Sequence, residues 1–123
     1  TLIVHAGIDR LGALFHAASA EAGVPAAASG HHAGEFETSI MLGLRPDLVR
    51  RADLAAGLVD TGDDAQRVFY PDLRAQAASG VVGDPRAAAG TRAARYLDAW
   101  VDALAATYRG AKKAKYTSGT QKA

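Results

Sequence analysis

The chain has no cysteine. That excludes a disulfide framework, thiolate nucleophiles and cysteine-held metals, and it fits a cytoplasmic protein. It also lacks an excess of either charge. Lys and Arg number 14 against 13 Asp and Glu, for a net charge of +1, which argues against a binder of nucleic acid or of membrane surfaces. No stretch approaches the roughly 20 apolar residues of a membrane span, and no signal-peptide pattern is present. Lysine is missing from most of the chain: Lys112, Lys113, Lys115 and Lys122 are the only four. The basic stretch 111–123 therefore reads as a solvated, disordered tail, leaving residues 1–110 for a single domain. The first residue, Thr1, already sits in an apolar run, as in a processed or partial chain.

What the chain does have is enough apolar residues, 49% of 123, for a real core. The unbroken run "TLIV", Thr1 to Val4, reads as a buried strand of the parallel-sheet kind. Asp9 is placed to cap a helix from about Arg10 to Ala22, with Leu11, Leu14, Phe15, Ala18 and Ala22 on one face and Gly23 as its stop. His16 falls on the outer face of that helix, as a surface histidine. "VPAAAS", Val24 to Ser29, is read as a second short strand, which would close a βαβ unit. A further helix spans about Glu35 to Leu44, ended by Pro46. Residues 50 to 80 suggest a long loop. Asp84 and Pro85 then punctuate the start of a helix running to about Tyr108, with Ala93, Tyr96, Leu97, Trp100, Val101 and Leu104 on one face. The expected fold is α/β, a parallel sheet flanked by helices.

Two of four histidines and two glutamates fall within "HHAGEFE", residues 31 to 37. In an open parallel sheet, ligands sit beyond the carboxyl ends of the strands, which would bring His5, His31, His32, Glu35 and Glu37 to one edge. Histidine and carboxylate together suit zinc, iron or manganese, and a neutral imidazole also suits acid–base work. Glu35 and Glu37 point about 200° apart on a helix, so only one can face such a site. With Glu37 sharing the inward side with Met41, Glu35 faces outward or caps the first turn. The same residues also suit a plainer role, a helix-start loop whose histidines bond backbone groups, and spacing leaves both open. His-Glu-x-x-His and Gly-x-Ser-x-Gly signatures are absent, and "GVVGDP" lacks the lysine of a phosphate loop.

"HAGEFETSIMLGLRPDLV" resembles the signature of the creatininase (creatinine amidohydrolase) family, and "GVVGDPRAAAGTRAARYLDAWVDAL" resembles its closing segment. Together they cover about a third of the chain. The resemblance implies a three-layer α/β/α fold of which this chain is the C-terminal portion. It also implies a divalent, possibly dinuclear, centre of Zn, Mn or Fe that activates water to cleave a C–N amide bond in a cyclic amide, formamide or peptide. In its terms His32 is the proton donor to the leaving nitrogen, Glu37 faces the metal, and His5 is the candidate metal ligand. His31 and Glu35 are left as candidates for substrate contact. The implied partners are a small-molecule amide and further copies, a hexamer by resemblance. The family's main metal-binding segment has no counterpart here. The alternatives are thus a fragment, one chain of a split or cleaved amidohydrolase completed by a companion N-terminal chain, or a non-catalytic α/β interaction subunit.

Overall fold

A computed structural model describes residues 8–59 and 72–119. Helix α1, Ile8–Glu21, ends where the sequence says it should. Gly23 takes φ +75, its N–H donates to the Ala20 carbonyl, and the Val24 N–H donates to Ser19. This paired closure needs a left-handed residue, which glycine adopts without steric cost. Helix α3, Glu35–Leu44, follows the one-turn helix α2, Ala26–Ser29. Pro46 then opens a 3-10 turn, Pro46–Leu48, and a second follows at Arg51–Asp53. Helix α4, Leu73–Gln76, is a single turn capped by Asp72, which accepts the Ala75 N–H at 2.9 Å. The longest element is α5, Ala93–Gly119, which runs on into the basic stretch.

Among the described residues the expected parallel sheet does not form. Among the described residues there is no strand, only two isolated bridges on Val82, antiparallel with His32 and parallel with Leu58. The expected strand Thr1–Val4 lies outside the described residues. The second expected strand is helix α2 instead. Pro25 has no N–H to give a strand partner and a φ of −61. The alanines after it favour helix over strand more than any other residue does.

The second correction concerns the last helix. Asp84 does cap, accepting the Arg86 N–H at 3.0 Å, but what it caps is a 3-10 turn, Pro85–Ala87. Another 3-10 turn, Gly90–Arg92, precedes α5. Tertiary hydrogen bonds hold the intervening chain out of helix: the Ala89 N–H donates to Ser39 Oγ at 3.0 Å, and Arg92 donates to the Ala87 carbonyl at 2.8 Å.

Helices α1, α3 and α5 meet over one aromatic stack. Phe36 lies between Phe15, at 4.3 Å and 15°, and Tyr96, at 4.4 Å and 17°. Trp100 packs edge-on to Phe15 at 5.6 Å. Ala18 and Ile40 complete the buried cluster, with Leu11 and Leu97 packed against it. The spacing of apolar residues thus chose the right faces for α1 and the first half of α5. Beyond Trp100 the helix leaves the body, and Val101 and Leu104 are exposed. No helix among the described residues is long and apolar enough to cross a membrane.

Phe36 is wholly buried and touches aromatic rings on both faces. Phe36→Ala is expected to cost about 3–5 kcal/mol, read as a lower midpoint in urea unfolding followed by far-UV circular dichroism.

Candidate active site

The site is made where two loops cross. One joins α2 to α3 and carries His31 and His32; the other, Val81 to Asp84, leads into the Pro85 turn. The N–H groups of His31 and His32 both donate to the Val82 carbonyl, the Val82 N–H donates back to His32, and the Asp84 N–H donates to Ala28. Only glycines permit so close a crossing. Gly30 has φ +68 and Gly83 φ +122, and a Cβ on Gly30 would stand 1.8 Å from the Val82 carbonyl oxygen. Here the two stretches that carry the family resemblance become one structural unit.

His32 and Glu37 line the same open groove, of about 710 Å³, together with Met41, Leu48, Val49, Leu54, Val81 and Pro85. Its size lies within the range of small-molecule sites. Arg50 and Asp53, an exposed ion pair at 3.2 Å, stand at the same groove. His32 is exposed and Glu37 half-buried. Between them, Ala33 is held at φ +52, a conformation costing a non-glycine residue about 1 kcal/mol or more. Both of its backbone groups are clipped by the first turn of α3. Its N–H donates to the Glu37 carboxylate, and its carbonyl accepts from Thr38 Oγ1 at 3.3 Å. Glu37 therefore fixes the backbone that presents His32.

Glu35 is placed opposite to expectation. It is neither outward nor a cap but completely buried. The inward face of α3 runs through Glu35, Phe36, Ser39 and Ile40, so Glu37 is turned to the groove. A carboxylate out of water needs donors, and five hydrogen bonds supply them. Ser39 Oγ donates at 2.7 Å, Ser19 Oγ at 3.0 Å, Arg92 at 2.8 Å, and the Tyr96 phenol at 3.1 Å to each oxygen. Burial, reinforced by the Glu35 charge, holds the Tyr96 phenol above its ordinary value. Ser19, Ser39, Arg92 and Tyr96 were not legible as partners. Only a polar residue at a heptad-like core spacing, Glu35 with Ser39, hinted at them.

His31 does not line the groove either. It turns to α1, where its Nε2 meets the Nε2 of His16 at 3.3 Å, with the rings perpendicular. His16 is thus half-buried rather than a surface residue. Burial holds both imidazoles below the usual histidine value, and for His31 the neighbouring His16 adds to the effect. His5 lies outside the described residues. Among the described residues, no group of three or more His, Cys, Asp or Glu side chains could hold a metal ion. They do not by themselves make a metal centre.

The family profile described as creatinine amidohydrolase matches residues 7–108, most of the chain. No match was found among curated proteins or among solved structures.

Two outcomes follow from this geometry. Gly30→Ala should separate the crossing loops, and a proteolysis assay should find cleavage between α2 and α3 that the wild type resists. Because folding depresses the His16 and His31 values, the unfolded chain binds more protons below pH about 6.5. Stability should therefore be full above that pH and fall as pH drops below it. Replacing both histidines by glutamine should flatten that fall in urea titrations at pH 5 to 7.

Proposed function

The chain belongs to the creatininase family, whose members are generally hydrolytic and metal-dependent, and from that premise we propose that it forms the proton-donating wall of an amidohydrolase site. The observation that carries the reading is the shared groove. His32 and Glu37, the two residues of "HAGEFE" to which the family resemblance gives roles, line one cavity, while Glu35 and His31 turn away from it.

On this reading a substrate amide lies in the groove with its leaving nitrogen toward His32. The imidazole gives that nitrogen a proton as the C–N bond breaks, converting a poor leaving group into a neutral amine. Glu37 keeps the Ala33 backbone in its left-handed turn, so the imidazole stays aimed without loop reorganisation. The apolar lining from Met41, Leu48, Val49 and Leu54 excludes water from the amide once it is bound. The described residues fall short of a metal set, so activation of the attacking water is assigned to none of them. Glu37 and His5 remain the residues proposed to face a divalent metal, with further ligands from another subunit or a companion chain.

The test is amide hydrolysis by zinc-, manganese- or iron-loaded protein, wild type against His32→Ala. Loss of a proton donor is expected to lower kcat by about 10²-fold or more, with KM and metal content nearly unchanged. Turnover within a few-fold of wild type would remove His32 from the reaction. A wild type that takes up none of the three metals and is inactive with every amide class would favour the non-catalytic interaction subunit.

A further inference from the structure

We propose that His16 and His31 form a two-histidine site for a divalent transition metal of the zinc class, clamping the His32 loop to helix α1. Three observations support it. The two rings meet through their nitrogens: Nε2 to Nε2 is 3.3 Å, and the ring centroids stand 4.6 Å apart. Two imidazole nitrogens on one tetrahedral zinc, each about 2.0–2.1 Å from it, are about 3.3 Å apart. The pair already holds the separation that a shared ion requires.

The second observation is that the sequence builds a seat for His31. Gly12 lies one turn before His16 on the same face of α1, and a Cβ at Gly12 would stand 2.9 Å from His31 Nδ1. Any larger residue there would push the imidazole off the helix. The third is that neither Nδ1 has a hydrogen-bond partner, so no neighbouring group fixes either ring's tautomer and the proton can leave Nε2 for Nδ1. A depressed affinity for protons favours the neutral imidazole, the form that binds metal.

The free pair is held by one N–H···N hydrogen bond. On metal binding, the donor imidazole shifts its proton from Nε2 to Nδ1, leaving both Nε2 lone pairs for the ion with no net proton lost. Water or an external ligand takes the remaining positions, since no third protein ligand is at hand among the described residues. Neither His16 nor His31 lines the groove that holds His32. The ion would therefore act on loop position and not on the amide.

The test is a zinc chloride titration of chelator-stripped protein by calorimetry, with the wild type compared to His16→Gln and His31→Gln. Both variants are expected to lose the same single equivalent, or to bind it at least 10-fold more weakly, and Gly12→Ala is expected to weaken it as well. Because a variant can fail to fold, the wild type is also followed by NMR, where the ring signals of His16 and His31 should shift together on adding zinc. Wild-type stoichiometry and affinity in either glutamine variant, or histidine ring signals unmoved at saturating zinc, would overturn the site.

Discussion

The structure depends on one buried carboxylate. Glu35 begins α3, yet its side chain points into the protein and collects hydrogen bonds from α1 through Ser19, from its own helix through Ser39, from Arg92 in the turn before α5 and from Tyr96 in the first turn of α5. Each charge-assisted bond of this kind is worth about 1.5–3 kcal/mol when its loss leaves a charge unpaired. The network therefore sets the rotation of α3. Phe36 and Ile40 follow Glu35 into the core, and Glu37 is left facing the groove. Ser39 and Arg92 extend the hold to the Ala87 and Ala89 backbone, so one carboxylate ties three helices and the loop that leads into the last of them.

The functional wall is built on that foundation. The groove side needs His32 at a fixed angle, and a loop is a poor way to fix an angle. Here the loop is stiffened from both directions. The Val82 hydrogen bonds pin it to the second loop, and Glu37 and Thr38 hold Ala33 in a conformation it would not adopt alone. On its other side His31 anchors to α1. A strained residue between the proposed proton donor and a helix N-terminus is where such strain is expected if it serves positioning.

Much of this was legible in the residues. Apolar spacing found the core faces of α1 and of α5 as far as Trp100, though not the exposure of Val101 and Leu104 beyond it, and glycine and proline marked Gly23 and Pro46 as stops. The pattern shows that only one of Glu35 and Glu37 can face inward, but the spacing of Glu37 with Met41 points to the wrong one. The helical phase of α3 shifts by a single residue when Ser39 counts as inward, and nothing local to the sequence marks a serine as inward. That Arg92, 57 residues away, is the cation beside Glu35 is a tertiary fact. "VPAAAS" is apolar enough to suggest a strand, whereas alanine after proline makes a helical turn. The His16–His31 contact was hidden in the same way: position on a helix wheel cannot show that a distant loop lies against the outer face.

Glu35 is the structural hub and Glu37 the residue of the groove. Equilibrium urea unfolding of Glu35→Gln tests this most directly. Removing the charge leaves Arg92 unpaired, though partly in reach of water, so the account predicts a loss of about 2–3 kcal/mol, whereas Glu37→Gln should lose about 1 kcal/mol or less. Equal stability of Glu35→Gln and wild type, or a larger loss for Glu37→Gln than for Glu35→Gln, would contradict it.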